Sequence, residues 1–399
     1  MIPPRHHALL DAISVLALMS VPKYLGGVRP HVRRRFFAAG AVVAGYSLLT
    51  RYRPDQERPI DMRTHRLIDA AQGVGFCAAS GTVGDARLRA WMQAYGTFSI
   101  AVAALTDNRD RRIGSQIPVS RAALAGERVG RLTVIGPDVA CLGLGIVNVV
   151  LLGRPDAGDR GWILLDAGLP GTASRIAAAA ARRFGRHARP AAIVLTHGHF
   201  DHVGALQELA DRWEAPIFAH PDEMPYLDGT CSYPPPDPGV GGLMARLSPL
   251  YPRKPIDVRA RMRPLTEDGG IPRLKEWQWI HSPGHTPGHI SLWRERDRML
   301  LSGDAIITTR QEEAYAAVVQ PPEIHGPPGY FTPDWPAAAA TVRRLARLQP
   351  DILVPLHGQP LCGPLMRDAL DRLARDFENV AMPADEPQPV GVEDIRHPT

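Results

Sequence analysis

Cysteine is scarce in this 399-residue sequence, and it forms no disulfide or redox pattern. The cysteines lie far apart, without a C-x-x-C pair, at Cys77, Cys141, Cys231 and Cys362. This spacing excludes a disulfide framework and favours reduced, mostly buried thiols. A G-x-S-x-G motif is also missing, so a covalent serine or cysteine nucleophile is not expected. We therefore expect a catalytic part that works in the cytosol.

An excess of charge of one sign is also missing. Basic residues exceed acidic ones by only five, and the arginines are scattered rather than gathered in a run with interleaved aromatics. Nucleic-acid binding is therefore not indicated. The first 27 residues lack the charged start, the compact apolar core and the small-residue cleavage site of a secretory signal peptide. No signal peptide is therefore expected.

The residues that are present divide into two unlike parts. Four apolar stretches separated by short charged loops occupy the first part, at residues 9–25, 36–50, 67–84 and 90–106. They predict an all-α module of four helices over residues 1–108. A polar, Arg-rich linker follows over residues 109–128. Residues 129–380 alternate strand-like and helix-like segments, which is typical of an α/β domain, and residues 381–399 are a flexible tail.

The composition of the four stretches favours a membrane module. Their interiors are rich in Ala, Gly and Ser, and arginines crowd the connections, as at residues 33–35. We expect transmembrane helices that contact a lipid bilayer over residues 8–106 of an inner (cytoplasmic) membrane protein, with the catalytic domain facing the cytoplasm. A soluble four-helix bundle in a cytoplasmic protein is the alternative. No stretch reaches the ~18 to 20 uninterrupted apolar residues of a clear spanning helix, and Asp69 and Gln72 interrupt the third.

An internal repeat runs through this module. HALLDA at residues 7–12 matches HRLIDA at residues 65–70, and SLLT at 47–50 echoes AALT at 103–106. The repeat predicts two duplicated helical hairpins. The module loosely resembles bacterial SPW-repeat membrane proteins, which are built from paired hairpins with a Ser-Pro-Trp signature. This chain has SVPK at 20–23 and SGT at 80–82 instead, with no Trp at either place.

The stretch LTHGHFDHVG at residues 195–204 carries the densest chemistry. An apolar, β-branched run precedes it and a helical pattern follows it, so its histidines and aspartate lie in a loop at the carboxyl end of a strand. Open α/β sheets bind ligands there. Imidazole and carboxylate suit zinc, with iron and manganese as alternatives. H-x-H-x-D-H should arise by chance only on the order of 10⁻³ times per chain, so it predicts a metal site.

Three later segments repeat this pattern of an apolar strand that ends in a metal-type residue. They are WIHSPGHTPGH at residues 279–289, MLLSGDA at 299–305 and DILVPLHG at 351–358. A single histidine at a strand end is usually structural or solvated. Four strand ends of one domain that all carry such residues predict instead that they share one site.

These residues resemble the motifs of metallo-β-lactamase-fold hydrolases, which form a four-layer αββα sandwich. The matching stretches are THGHFDH at 196–202, GHTPG at 284–288, SGD at 302–304, LHG at 356–358, ILLDAG at 163–168 and NVVLL at 148–152. The resemblance implies two Zn²⁺ ions per chain. By the same resemblance the first ion is bound by His197, His199 and His285, the second by Asp201, His202 and His357, and Asp304 bridges both.

The bridging aspartate points to the glyoxalase II and lactonase branch of this fold. In that branch a hydroxide bound to the metals is the nucleophile, and Asp201 and His202 belong to the catalytic group. The second ion would stabilise the oxyanion. Asp166 and His289 are expected to orient ligands from behind, as outer carboxylates do. We expect His281 to pack, and His220 to be structural.

Two long segments, residues 225–255 and 308–335, interrupt the core and predict the substrate site. Their candidate contacts for a small-molecule substrate are Tyr233, Tyr251, Arg310, Tyr315 and Tyr330. Aromatic side chains suit an apolar acyl or lactone group, and a tyrosine could donate to its carbonyl; that they simply pack the loops is the alternative. The basic residues by which glyoxalase II holds glutathione, and the arms of RNA-processing members, are not recognisable.

The sequence therefore predicts a membrane-associated, dinuclear zinc hydrolase of a small ester, thioester or lactone. One alternative is an oxidoreductase or dioxygenase that uses the same fold with one iron. The complete set Asp201, His202 and His357 disfavours it, because a mononuclear member does not need those three. The other alternative is a membrane sensor or binding module without catalysis, which the intact ligand set disfavours.

Overall fold

The computed structural model describes residues 4–24, 28–50, 59–106, 117–129, 132–253 and 256–383. The chain divides into two compact units, Met1–Asp110 and Arg111–Thr399.

The first unit confirms the four predicted helices. Their bounds are α1 Pro4–Tyr24, α2 Pro30–Leu48, α3 Met62–Ser80 and α4 Ala86–Leu105. Aspartates begin two of them, because the carboxylate of Asp61 accepts from the backbone N–H of Thr64 and that of Asp85 accepts from Leu88. Such caps satisfy N–H groups that the first helical turn leaves open. The resemblance of this unit to SPW-repeat proteins stays a prediction.

The prediction that these helices cross a membrane is wrong for the described residues. Among the helices that the structure describes, none combines the length and the apolar character that a bilayer span requires. Buried polar side chains interrupt two of them, with His7 and Asp11 on α1 and His65 and Asp69 on α3. Each such group lowers the hydropathy of the span that contains it.

The second unit contains two main sheets. Its described strands are β1 Ile117–Pro118, β2 Glu127–Val129, β3 Leu132–Gly136, β4 Val139–Gly143, β5 Asn148–Leu152, β6 Ile163–Leu165, β7 Ala192–Val194, β8 Ile217–Ala219, β9 Met262–Pro264, β10 Gln278–His281, β11 Ile290–Arg294, β12 Met299–Gly303, β13 Glu323–Ile324, β14 Ile352–Pro355 and β15 Leu361–Cys362. In this part of the chain, β2 to β9 form one sheet in sequence order, and the other has the order β10-β11-β12-β14-β15. The pairs β6–β7, β7–β8, β8–β9 and β12–β14 are parallel.

Helices cover the outer face of each sheet. The described helices of this unit are α5 Ala173–Phe184, α6 Phe200–Val203, α7 Leu206–Trp213, α8 Met224–Leu227, α9 Leu243–Leu247, α10 Ala314–Val319, α11 Trp335–Arg347, α12 Pro364–Arg375 and α13 Phe377–Val380. Alternation along the strands produces the layers. On β6, Ile163 lies in the apolar cluster between the sheets, whereas Leu164 lies in the cluster with α5 and α7. On β12, Leu301 lies between the sheets and Leu300 lies with α11 and α12. The predicted αββα sandwich is confirmed.

Two predicted boundaries need correction. Residues 117–128, assigned to a polar linker, instead contain β1, a short 3₁₀ helix and most of β2. Ile117, Val119 and Ala123 are buried in the cluster with α11 and α12, so their apolar side chains fix this segment in the second unit. Ala381 and Met382, assigned to the tail, are buried in the same cluster. Residues 117–128 of the predicted linker 109–128 are thus folded, and residues 107–116 and 384–399 lie outside the described residues.

Candidate metal centre

The histidines and aspartates singled out from the sequence meet at one edge of the two sheets. Strands β6, β7, β12 and β14 end at Leu165, Val194, Gly303 and Pro355, and each is followed within three residues by Asp166, His197, Asp304 or His357. Because β6–β7 and β12–β14 run parallel, their carboxyl ends lie at a common edge. His285 joins them from the loop between β10 and β11. The loop after β7 turns into the single-turn helix α6 and brings Asp201 and His202 to the same place.

Three buried histidines form what we call the first triad: His197, His199 and His285. One ligand atom of each lies within 4.8 Å of the others. Nδ1 of His199 is 3.0 Å from Nε2 of His285. The hydroxyl of Thr332 donates to the carbonyl of Pro328, so Nδ1–H of His285 donates to that hydroxyl and Nε2 carries a lone pair. That lone pair faces Nδ1 of His199, as expected if both nitrogens bind the same cation.

The second triad consists of Asp201, His202 and His357. Nε2 of His357 is 3.4 Å from Oδ2 of Asp201, and Nε2 of His202 is 3.8 Å from Oδ1 of Asp201. Nδ1–H of His357 donates to the carbonyl oxygen of Ile146 over 2.6 Å. This hydrogen bond fixes the tautomer that presents Nε2 to Asp201, because one ring nitrogen of a neutral imidazole carries the proton.

The carboxylate of Asp304 lies between the two triads. Its Oδ2 atom is 3.1 Å from Nε2 of His357 and 3.5 Å from Nε2 of His202 in the second triad. The same oxygen is 3.5 Å from Nε2 of His285 and 3.9 Å from Nε2 of His197 in the first triad. One oxygen therefore reaches ligand atoms of both triads.

The donor atoms fit divalent cations. Nε2 of His197, Nε2 of His202 and Oδ1 of Asp304 are buried and have no hydrogen-bond partner among the described residues. Buried polar atoms rarely stay unsatisfied, so these atoms call for a ligand. Burial and the neighbouring His202 lower the pKa of His199 to about 3, which keeps its imidazole in the neutral form that binds metals.

The charge state of Asp304 also suits a ligand. Burial opposes ionisation, but the neighbouring His357 and His202 outweigh it and hold the pKa of Asp304 well below its usual value. Burial lowers the pKa of His202, but the carboxylates of Asp304 and Asp201 outweigh burial and raise this pKa well above its usual value. The carboxylates of Asp304 and Asp201 therefore favour a positive charge at the position that Nε2 of His202 faces.

Asp166 holds the loop of the first triad from behind. Its Oδ1 accepts from the backbone N–H of Thr196 at 2.7 Å, and its Oδ2 accepts from the hydroxyl of Thr196 at 2.7 Å and from Nδ1 of His202 at 2.8 Å. Because the Thr196 hydroxyl donates to Asp166, it accepts from Nδ1–H of His197 over 3.0 Å. Asp166 has a positive φ of 58°, a strained conformation that such hydrogen bonds can hold.

His289 supports Asp304. Burial lowers its pKa to about 4, so its imidazole is neutral. Nδ1 lies 2.8 Å from the hydroxyl of Ser282, and Nε2 accepts from the backbone N–H of Asp304 at 2.9 Å. Gly303 makes room for this contact, because a Cβ there would lie 2.4 Å from Nε2 of His289 and its φ is +58°. His281 stacks on His220, with ring centroids 4.2 Å apart.

Glu223 is a buried residue of the site that sequence patterns did not identify. Its Oε1 accepts from the backbone N–H of Gly198 at 3.0 Å and from the hydroxyl of Tyr233. Its Oε2 accepts from the hydroxyl of Thr286 and the backbone N–H of Gly288, both at 2.9 Å. Burial raises its pKa to about 7. This carboxyl joins the loops of both first-triad segments.

A pocket of about 160 Å³ opens beside the first triad. Its walls include His199, His285, Tyr233, Pro234, Pro235, Asp237, Pro287, Tyr330, Phe331, Thr332 and Pro333. Of the substrate candidates, Tyr233 and Tyr330 line it, whereas Tyr251 packs on Phe200. Phe331, which was not a candidate, stacks on the ring of His199 with centroids 4.6 Å apart.

The other two candidates lie away from this pocket. Arg310 forms an ion pair of 3.2 Å with Glu313, and Tyr315 is 46% exposed on α10. Neither lines the pocket in the described part of the chain, so their prediction as substrate contacts is not supported by position. Both lie in the long segment 308–335. The amino-acid composition of this segment does not distinguish residues that line the pocket from residues on the surface.

The chain is similar to known proteins. The model of the metallo-β-lactamase superfamily matches residues 142–357. The probable metallo-hydrolase YflN of Bacillus subtilis is 45% identical over 236 residues, which cover 59% of this chain and 89% of that protein. The probable metallo-hydrolase YybB of the same organism is 28% identical over 172 residues, or 43% of this chain and 66% of that protein. Among solved structures, a di-iron-bound form of TTHA1623 is 29% identical and covers 57% of this chain and 95% of its own, with a TM-score of 0.37.

The family match spans more than half of the chain, and it contains every residue of both triads and Asp304. YflN of Bacillus subtilis is matched over 89% of its own length. This chain therefore belongs to the metallo-β-lactamase superfamily and is a metal-dependent hydrolase.

Proposed function

We propose that this hydrolase uses two Zn²⁺ ions to cleave a small ester, thioester or lactone, as in the glyoxalase II and lactonase branch of the fold. The observation that carries the proposal is the position of Asp304. Its Oδ2 lies 3.1 Å from Nε2 of His357 and 3.5 Å from Nε2 of His285, so one carboxylate serves both triads. A site for one ion needs only one triad and no shared oxygen.

In this proposal each triad holds one ion. The first triad would hold one through three imidazoles, the second would hold the other through Asp201, His202 and His357, and Asp304 would contact both. Imidazole and carboxylate donors suit zinc, and they also accept iron or manganese. The chemistry that such ions supply is a lowered pKa of bound water and polarisation of a substrate carbonyl.

The protein fixes its ligands before substrate arrives. Asp166 orients His202, the carbonyl of Ile146 orients His357, and the hydroxyl of Thr332 orients His285. Ligands held in this way need little rearrangement during the reaction, which is the main contribution of a preorganised site. Asp201 and His202 would hold the second ion, which supplies stabilisation of the oxyanion when bound.

The pocket favours an uncharged, apolar substrate. Its walls are mainly proline and aromatic side chains, and no Arg or Lys lies among the described residues that line it. Cationic side chains of that kind commonly hold phosphodiesters and the carboxylates of glutathione. Acyl groups of esters, thioesters and lactones suit these walls.

Tyr330 is the tyrosine that we expect to contact the substrate through its hydroxyl. The hydroxyl of Tyr233 donates to Glu223, and that of Tyr251 donates to the carbonyl of Met244 over 3.0 Å. Those two hydroxyls are engaged within the protein. Tyr330 and His285 both line the pocket in which a substrate carbonyl would lie.

A substrate panel with the full chain tests the proposal. Purified protein loaded with zinc is assayed on lactones, acyl esters, thioesters and phosphodiesters, together with Asp304→Ala and the surface variant Asp211→Ala. Asp211 has a side chain that is 59% exposed and pairs with Arg261, so its loss leaves the site intact. We expect hydrolysis of one of the first three classes, a loss of at least ~10³-fold in Asp304→Ala, and wild-type rates in Asp211→Ala. Activity on phosphodiesters alone, or oxidation with one iron, would contradict the proposal.

A further inference from the structure

A second cluster of metal-type side chains lies inside the helical unit. His7 and Asp11 stand four residues apart on α1, and His65 and Asp69 stand four residues apart on α3. Residues at this spacing share one helix face. All four side chains are buried, with exposed fractions of 4% or less. These residues form the two H-x-x-x-D copies of the internal repeat. The hydrolase site does not use them.

The two pairs meet at one point. Nε2 of His7 is 3.3 Å from Oδ1 of Asp11 and 2.7 Å from Oδ2 of Asp69. Nε2 of His65 is 3.1 Å from Oδ2 of Asp11 and 3.3 Å from Oδ2 of Asp69. Each imidazole thus faces both carboxylates, and one ligand atom of each of the four residues lies within 4.8 Å of the others.

Two threonines of the repeat set the tautomers. The hydroxyl of Thr106 donates to the carbonyl of Val102, so it accepts from Nδ1–H of His7 over 2.6 Å. The hydroxyl of Thr50 donates to the carbonyl of Tyr46 and accepts from Nδ1–H of His65 over 2.6 Å. With the Nδ1 proton engaged, Nε2 of each histidine points at the cluster. Histidines that bind metals have this arrangement of an outer hydrogen bond and an inward lone pair.

The spacing of the ligand atoms fits a central cation. Each Nε2 lies within 3.3 Å of an oxygen of both aspartates, whereas an Nε2–H group can donate to only one of them. Ligand atoms about 2.1 Å from a tetrahedral metal lie about 3.4 Å from one another. Three of the four distances between Nε2 and oxygen fall at 3.1 to 3.3 Å.

The charges of the cluster also suit a divalent cation. Burial lowers the pKa of His7 and His65, but the hydrogen bonds and charges of Asp11 and Asp69 outweigh it and raise both, that of His65 to about 9. The two carboxylates thus hold positive charge at the point that the imidazoles face, and a divalent cation there would replace two protons with the same total charge. The hydroxyl of Tyr46 donates to Oδ1 of Asp69 over 2.6 Å and orients that carboxylate. A small pocket lined by Asp11, Asp69, Gln72 and Tyr95 adjoins the cluster and offers a polar path to it.

We propose that His7, Asp11, His65 and Asp69 form a tetrahedral site for a divalent transition metal in the helical unit, separate from the hydrolase centre. The two hairpins of the duplicated sequence each supply one His and one Asp. The ion joins the hairpins, and its affinity depends on Thr50 and Thr106.

Metal uptake by the full chain tests this site. Chelator-stripped wild type and the double variant Asp11→Asn/Asp69→Asn are loaded with Zn²⁺ alone, desalted and analysed for zinc per chain. Asparagine keeps the shape of aspartate and removes both charges. We expect the double variant to bind one equivalent fewer, and to hydrolyse the best substrate at the wild-type rate. Equal zinc content in the two folded proteins would overturn the proposal.

A second pair of variants covers the case in which the double variant does not fold. Thr50→Val/Thr106→Val keeps all four ligands and removes the groups that orient the imidazoles. In competition with a chromophoric chelator, we expect zinc to bind this site about 10- to 100-fold more weakly than in wild type. His31→Gln, which alters an exposed histidine on α2, is the control and should match wild type. Unchanged affinity in the valine variant would contradict the proposal.

Discussion

Nδ1 of His202 lies 2.8 Å from Oδ2 of Asp166, so a carboxylate outside both triads determines which nitrogen His202 presents to Asp304. Asp166 is buried, and it holds the segment that contains His197 as well. The second triad therefore depends on a residue that contacts neither the substrate pocket nor Asp304 directly in the described structure.

Asp166→Asn should weaken metal binding without unfolding the protein. An amide NH₂ in place of Oδ2 accepts from neither Nδ1–H of His202 nor the hydroxyl of Thr196, and in place of Oδ1 it faces the backbone N–H of Thr196 without accepting from it. We expect zinc affinity to fall about 10- to 100-fold, with a parallel loss of activity at limiting zinc. Chelator competition measures the affinity, and excess zinc should restore part of the activity. An affinity equal to that of Asp211→Asn, the surface control, would show that Asp166 does not position His202.

Glu223→Gln should lower both stability and activity. Glu223 accepts hydrogen bonds at both oxygens, from the loop of Gly198 and from the loop of Gly288. Glutamine can accept at only one of them, so at least one buried donor loses its partner, which costs about 1–3 kcal/mol of unfolding free energy. Thermal and denaturant unfolding of the metal-loaded proteins measures this change.

Tyr233→Phe is the matched comparison for that variant. It removes one donor to Glu223 and keeps the backbone donors of Gly198 and Gly288. We expect a smaller loss of stability than in Glu223→Gln. A larger loss, or no change in either variant, would contradict the role of Glu223 as the link between the loops.

Phe331→Ala should impair substrate binding more than the chemical step. The ring of Phe331 stacks on His199 and lines the pocket, whereas Tyr315 is 46% exposed and outside its walls. Removing a partly buried aromatic wall should raise KM for an apolar acyl substrate by about 10-fold or more. Tyr315→Ala should leave KM and kcat unchanged. Equal effects of both changes in steady-state kinetics would rule out this pocket as the substrate site.

The cysteines should differ in reactivity, because they are less uniformly buried than expected. Cys141 is buried, Cys231 is exposed, and Cys77 and Cys362 are partly buried; all are free. Burial raises the pKa of Cys141 to about 12, so almost none of its thiol is ionised near pH 8. A disulfide reagent should modify Cys231 quickly and Cys141 only after denaturation. Peptide mapping identifies the labelled residues, and rapid native labelling of Cys141 would contradict its position between the sheets.

The residues of the two triads were predictable because each follows an apolar strand. The fold places such strand ends together, so local patterns at His197, Asp304 and His357 were sufficient to predict a common site. Glu223 was not predictable, because it lies in a short 3₁₀ helix without a motif and its partners are up to 65 residues away. Phe331 was not predictable, because the segment 308–335 contains several aromatic residues. Only the folded structure shows which of them covers His199.

For the helical unit, the sequence predicted the helices but not how their polar side chains meet. Four helices followed from four apolar stretches, but their composition was misread as that of membrane spans. The histidine and aspartate of each H-x-x-x-D copy are local in sequence, and their convergence depends on how α1 and α3 pack. Repeats reveal that two such pairs exist, whereas only the structure shows that His7 faces Asp69.

Zinc counting decides whether two ions lie in the hydrolase centre. The zinc content of the wild-type chain is compared with that of His197→Ala/His357→Ala, which removes one ligand of each triad and leaves the helical unit unchanged. We expect a loss of two zinc equivalents per chain together with loss of hydrolysis. A loss of one equivalent or none from the folded variant, or iron in place of zinc in an active wild type, would contradict it.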